Sequence, residues 1–213
     1  MAIINFLQKF LNEGGFTSYL TATSALFLIL LTLDRVRYLF FRIKPVGAKP
    51  MSELSQKVLS RDYKGALQMC NSVEDVPQLQ VIKSGLMAVD SGREAMKSAL
   101  GASVVEITKE CEKRVPLIAL IASVATLLGL LGTISGMIRT FDAIATADPA
   151  KKAEMLGAGI SEAMTSTAAG LIVGIAAMIV HTICTVKIDE ITGEAQKSGF
   201  NIVTLIEKSE RGT

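Results

Sequence analysis

Leu127-Leu128-Gly129-Leu130-Leu131-Gly132-Thr133-Ile134-Ser135-Gly136-Met137 decides how this chain folds. The run is apolar and of membrane type, yet it carries three glycines and two hydroxyls at helical spacing. A helix that only had to sit in lipid would not need them, since each Gly loses about 1 kcal/mol of helix propensity relative to Ala. Small residues three and four apart let a second helix approach closely, which is how helices associate where lipid removes the hydrophobic drive. A second run, Thr165-Ser166-Thr167-Ala168-Ala169-Gly170-Leu171-Ile172-Val173-Gly174, repeats the pattern. Two such helices point to a membrane complex whose polar seam faces protein or water.

Working outward, half of the 213 residues are hydrophobic and there is no Trp. The apolar residues gather in three blocks, near 16–33, 115–138 and 163–186, none with Asp or Glu in its interior. Each is long enough for about 30 Å of hydrocarbon at roughly 1.5 Å per residue. The expected fold class is therefore an all-α membrane protein with three transmembrane helices and long cytosolic helical extensions. The first block is not read as a secretory signal, because only Lys9 precedes it and Leu33 runs directly into Asp34-Arg35-Val36-Arg37.

Lys and Arg set the expected orientation. Residues 34–114 hold fourteen and the tail from Lys187 four, against Lys9 at the amino terminus and Arg139, Lys151 and Lys152 between the last two blocks. The long loop and tail are expected in the cytosol, with the amino terminus and second loop outside. The expected organisation is an interfacial amphipathic helix over 1–15, a first span over 16–43 and a cytosolic helical region over 44–114. A second span over 115–141, an outer loop and helix start over 142–156, a third span over 157–186 and a tail over 187–213 follow. The interfacial helix rests on Ile3, Ile4, Leu7, Phe10 and Leu11, which share one face before Gly14-Gly15; the alternative is a simple extension of the first span.

In the cytosolic region Leu54, Val58 and Leu59, then Ala66, Leu67 and Cys70, then Leu79, Ile82, Leu86 and Met87 recur at helical spacing, separated by Pro77 and Ser91-Gly92. This predicts a small helical bundle. From 93 to 140 the only break signal is Pro116, which predicts one helix of about 45 residues, close to 70 Å long. Asp148-Pro149 supplies an N-cap acceptor and an N1 proline, so the last helix is expected to start near 149 and to end near Gly193.

Thr126, Thr133 and Thr140 lie seven residues apart on one stripe, with Gly129, Gly132 and Gly136 close by. Thr167, Gly170, Gly174, Ala177 and His181 form a second stripe. A single hydroxyl in a helix commonly bonds the carbonyl one turn back, but an aligned set in two spans suits a wettable or partner-contacting lumen. Glu162 is the acid nearest the membrane core, read either as an interfacial carboxylate or as a pore-facing acid near the outer end. His181 reads first as a cytosol-side interfacial residue and second as a proton relay. No carboxylate is expected at the bilayer midplane, so a proton path would need one from another chain. The three cysteines, Cys70, Cys111 and Cys184, have neither disulfide nor metal spacing. No nucleophile, metal or nucleotide motif is present, which reads against a conventional enzyme; no nucleic-acid partner and no cofactor are expected.

The segment 127–138 with Phe141 resembles the second-span signature of the MotA/TolQ/ExbB proton-channel family. Gly159-Ile160-Ser161-Glu162-Ala163-Met164-Thr165-Ser166-Thr167-Ala168-Ala169-Gly170-Leu171 resembles its third-span signature. Three spans, an outward amino terminus, a cytosolic loop of about 80 residues and a short tail resemble the ExbB/TolQ branch; MotA proteins usually carry a fourth span. Arg61-Asp62-Tyr63-Lys64-Gly65-Ala66-Leu67-Gln68-Met69-Cys70 is also similar to the family's cytosolic segment. One departure is Ala125-Thr126, where the family often has Ala-Pro.

The resemblance implies an inner-membrane homopentamer around a pore, occupied by a dimer of single-span ExbD- or TolR-like helices that bring the missing Asp. Thr133 and Thr167 match the family's pore-lining threonines, and Glu162 matches its acid at the start of the third-span motif. Thr126, Thr140 and His181 are further candidates for the pore, and Gly129, Gly132, Gly136, Gly170 and Gly174 for helix packing. Protons are the expected coupling ion, with Na+ left open, and TonB- or TolA-like proteins would receive the work. The alternatives are a passive scaffold holding partner helices and a MotA-like stator subunit.

Overall fold

The computed structural model describes residues 15–44, 46–72 and 76–211. The interfacial helix expected over 1–15 lies almost wholly outside the described residues. The chain forms α1 (Gly15–Val36), a π-helical turn (Arg37–Arg42), α2 (Ala48–Leu59), α3 (Tyr63–Asn71) and α4 (Pro77–Met87). A 3-10 turn (Val89–Ser91), α5 (Arg93–Glu112), α6 (Val115–Ala145) and α7 (Lys152–Arg211) complete it. The described residues contain no strand. They divide into two compact units, one from the chain up to Asp34 with Arg114–Thr182, the other from Arg35–Lys113 with Ile183–Thr213.

The first unit packs α1, α6 and the first half of α7. Leu28 and Leu31 of α1 meet Ile118, Ile121 and Ala122 of α6 and Ala177 of α7, with Val173 and Val180 beside them. Outside this small core the large apolar side chains point outward. Leu26, Ile29, Leu30, Leu33, Leu120, Leu127, Leu130, Ile134, Ile138, Met164, Ile172, Ile175 and Ile179 are all exposed. So large a bare apolar surface needs lipid or other protein to cover it. Within the described residues the apolar stretches long enough to cross a membrane lie in Arg93–Ala145 and Lys152–Ser209. Two hydroxyls of α1 bond inside the helix: Thr23 donates to Tyr19 O at 2.7 Å and Thr32 to Leu28 O at 2.7 Å.

The second unit is a helical bundle of α2 to α5 and the last part of α7. Asp62 caps α3, its carboxylate accepting from Gly65 N at 2.9 Å, and this bond holds its acid below the usual carboxylate range. Pro77 opens α4 at its first turn, and Gly92 (φ 93°) turns the chain into α5. Leu54, Val58, Ala66, Cys70, Leu79, Ile82 and Leu86 are buried as the spacing predicts. Leu59 and Met87 are exposed, because each is the last residue of its helix, where the inward stripe has run out. Leu100 sits in a seat made by two glycines: a Cβ on Gly85 would lie 2.8 Å from its Cδ2, and one on Gly199 3.1 Å. Arg93 pairs with Glu207 at 2.6 Å and Gln78 donates to Glu194 at 2.9 Å.

Two expectations about helix ends fail. The single helix expected over 93–140 is two helices, because Arg114 adopts a left-handed conformation (φ 68°) before Val115-Pro116. Pro116 has no N–H for the Glu112 carbonyl, and its ring would collide with it. The last helix does not stop near Gly193 but runs to Arg211. Ile188, Ile191 and Ala195, then Ile202, Val203 and Ile206, keep one buried stripe across Gly193. That packing outweighs the roughly 1 kcal/mol that one helical Gly costs.

Candidate functional site

The antiparallel contact of α6 and α7 is where the glycines and hydroxyls meet. It is closest at Gly129 and Gly170: a Cβ on Gly170 would fall 2.7 Å from Gly129 Cα and 2.6 Å from the Ala125 carbonyl oxygen. No side chain fits there, so the two backbones touch. Toward the C-terminal end of α6, Gly136 faces Ala163, and a Cβ on Gly159 would run into the Thr140 side chain. In the other direction, Thr126 lies over Gly174, 2.5 Å from where a Cβ would stand. Gly132 is buried in α6.

This register brings Thr133 and Thr167 together. Thr167 Oγ1 donates across to Gly129 O at 3.1 Å and lies 3.5 Å from Thr133 Oγ1. Thr133 Oγ1 donates to Leu130 O of its own helix at 2.6 Å. The glycine and the threonine act as a pair, since the missing side chain at 129 lets Thr167 reach its carbonyl. Thr126 and Thr140 instead bond one turn back, to Ala122 O at 2.9 Å and Gly136 O at 2.8 Å. Thr165 does the same with Ser161 O at 2.8 Å, on an exposed face.

Toward the start of α7, Glu162 Oε1 lies 3.1 Å from Arg139 Nη2 of α6, and Glu162 is the more buried partner. Sequence reasoning counted Arg139 only as a topology charge. The signal for its role is the register itself. Gly129 with Gly170, Gly136 with Ala163 and Arg139 with Glu162 have residue numbers that sum to nearly the same value, as antiparallel neighbours must. Gly159 was missed for the same reason, although it stands in the quoted third-span motif.

At the opposite end of this helix pair an open cavity of about 580 Å³ is lined by Ala122, Ser123, Thr126, Met178, His181 and Thr182, among others. His181 is half-buried in its wall. Ser166 is buried on α7, and its hydroxyl has no partner among the described residues. No group of three or more His, Cys, Asp or Glu among the described residues could hold a metal ion.

The helix pair lies within a stretch of sequence that matches a family profile. That of the MotA/TolQ/ExbB proton channel family covers residues 73–197. The chain belongs to this family. It is 31% identical over 105 residues to the Tol-Pal system protein TolQ of Haemophilus influenzae, an alignment covering 48% of this chain and 46% of TolQ. It is 27% identical over 194 residues to a putative biopolymer transport protein ExbB homolog of Methanothermobacter thermautotrophicus, covering 88% of this chain and 67% of that protein. The alignment thus spans about half of TolQ and two thirds of the ExbB homolog. In fold the chain is similar to a chain of C. jejuni MotAB, with a TM-score of 0.61 at 16% identity, over 95% of this chain and 80% of that one. As a MotA/TolQ/ExbB protein it belongs to a proton-channel family, and the matched stretch includes the α6–α7 hairpin.

Proposed function

We propose that this chain is the ring-forming subunit of an inner-membrane, proton-driven motor of the ExbB/TolQ kind. The observation that carries the reading is the Thr133–Thr167 couple, where hydroxyls of α6 and α7 meet across the seam at 3.5 Å. Three spans formed by α1, α6 and α7, with residues 34–114 and the tail in the cytosol, follow from the apolar blocks and the Lys and Arg distribution. Five copies would surround a dimer of single-span ExbD- or TolR-like helices, and a TonB- or TolA-like protein would take up the work.

The couple suggests how a carboxyl would be read. Both hydroxyl protons are directed at backbone carbonyls, so the oxygens offer lone pairs. A protonated carboxyl, which is a donor, finds acceptors there without rearrangement. A carboxylate finds a donor only if a hydroxyl turns away from its carbonyl. The two protonation states of the partner's Asp therefore bind differently, and proton transfer changes where its helix rests. Each charge that crosses the membrane supplies about 2.3 kcal/mol per 100 mV. Glu162, held by Arg139, stands nearer the outer mouth on this reading, and the glycines keep the couple at its spacing.

The test is T133V with T167V. Val keeps the volume and loses the hydroxyl, so assembly should persist while proton flux through vesicles holding the complex falls to background. Thr165→Val, whose hydroxyl faces away from α6, should be mild. Full flux in the double variant would remove the couple from the proton path and favour a passive scaffold.

A further inference from the structure

The last part of α7 changes character at one residue. Residues 163–186 contain no Asp, Glu, Lys or Arg, and Lys187 is the first charge after them. At about 1.5 Å per residue this run is long enough for the hydrocarbon of a bilayer, which sets Lys187 at headgroup depth. Ile183, Val186, Phe40 and Phe41 of the same unit are exposed, and Lys187 Nζ lies 5.8 Å from the centre of the Phe40 ring. Bare apolar and aromatic side chains next to a lysine are the pattern of a membrane–water boundary. Past this belt the second unit holds a cavity of about 180 Å³, lined by Lys44, Gln78, Lys187, Glu190 and Glu194, among others. At roughly 30 Å³ per water this is the space of about six waters, enough for a small polar headgroup.

The cavity carries both signs of charge, and the chain itself uses only part of them. Lys187 Nζ donates to Glu190 Oε2 at 2.7 Å, and Gln78 Nε2 donates to Glu194 Oε2 at 2.9 Å. The second oxygen of each carboxylate has no bond among the described residues, and neither does the Lys44 ammonium. Glu190 and Glu194 stand one turn apart, so their open oxygens share a face of α7. Gln78 is buried, and its amide oxygen accepts from Val46 N at 2.9 Å, which fixes one wall. We propose that this cavity binds the headgroup of a phosphoethanolamine lipid. The Lys44 and Lys187 ammonium groups take the phosphate, the open oxygens of Glu190 and Glu194 accept N–H bonds from the primary amine, and the acyl chains lie on Phe40, Phe41 and Val186. Two lysines and two glutamates sum to no net charge, which suits a zwitterion. An anionic headgroup without an amine would leave both glutamates facing phosphate oxygens, and a choline offers no N–H to bond them. The inference rests on the reading of α7 as a membrane span, in either orientation, and is independent of the threonine couple.

The experiment offers the detergent-purified protein equal amounts of dioleoyl phosphatidylethanolamine and dioleoyl phosphatidylcholine, and native mass spectra report which is retained. The wild type should keep the ethanolamine lipid about ten-fold over the choline lipid, the ratio expected of charge-assisted hydrogen bonds that only one of them can make. Glu190→Gln with Glu194→Gln should retain the two lipids alike. Lys44→Ala removes a contact to the phosphate that both lipids carry, so it should lower retention of both while the preference survives. Melting temperatures show whether each variant folds. If the double variant does not, Glu190→Gln alone, at an exposed side chain, replaces it and should narrow the preference. Equal retention by the wild type would overturn the proposal whatever the variants do. So would an undiminished ethanolamine preference in a folded glutamate variant, or unchanged retention in folded K44A. Failure of the spanning reading looks different, because the chain would then stay in solution without detergent and retain neither lipid.

Discussion

At the residue scale the ion pair between Arg139 and Glu162 separates structure from chemistry. Half-exposed pairs of this kind are worth about 0–1 kcal/mol, so Arg139→Gln and Glu162→Gln should each shift the melting temperature only slightly. If Glu162 acts on the ion path, E162Q should still reduce proton flux severely. The charge swap R139E with E162R should restore the melting temperature without restoring flux, as read by calorimetry and vesicle assays on the same preparations. Full flux in the swap would make the pair purely structural.

Buried thiols give a second prediction at this scale. Burial pushes Cys70 and Cys111 up to about 11, so at neutral pH both are protonated and poor nucleophiles. Neither should react with maleimide in the folded protein, and both should react after denaturation. The linkage has a definite sign: the unfolded thiols ionise near 9, the folded ones near 11. Stability should be unaffected below about pH 8.5 and should fall as pH rises from there to about 11. C70A with C111A should lose that part of the alkaline decline in a pH series of thermal melts.

At the scale of elements, the α6–α7 contact is made within one chain. The first effect of filling it is therefore on the hairpin, and any loss of the proposed oligomer would follow from that. Gly170→Ala places a methyl 2.6 Å from the Ala125 carbonyl and should lower the melting temperature clearly, with Gly174→Leu worse. Gly157→Ala and Gly193→Ala meet nothing within 4 Å and should be neutral or gain up to about 1 kcal/mol. Gly159→Ala should be destabilising alone and rescued by Thr140→Ala, because the clash is with that side chain. Equal melting temperatures for all five glycine variants would refute the register.

At the scale of the whole molecule, orientation can be read by labelling. A membrane-impermeant thiol reagent should label Cys placed at Lys151 in intact spheroplasts and spare Cys placed at Lys57. The native cysteines are buried and should not obscure the result. The opposite pattern would reverse the direction of coupling and place the His181 cavity outside.

The all-helical character, the apolar runs and the two stripes of small and hydroxyl residues were legible in the sequence, because a helix repeats every 3.6 residues whatever surrounds it. The bundle of residues 51–112 was legible for the same reason, with Pro77 and Gly92 as its punctuation. What only the tertiary structure decided is which stripe position meets which. That depends on the register of two antiparallel helices joined by a loop, and no local pattern encodes it. The register put Thr167 on the Gly129 carbonyl, Arg139 on Glu162 and Thr140 over Gly159. Helix ends were decided in the same way. Pro116 ended α5 because its ring and missing N–H act locally, whereas Gly193 did not end α7 because burial on either side of it is a non-local gain that exceeds a local cost.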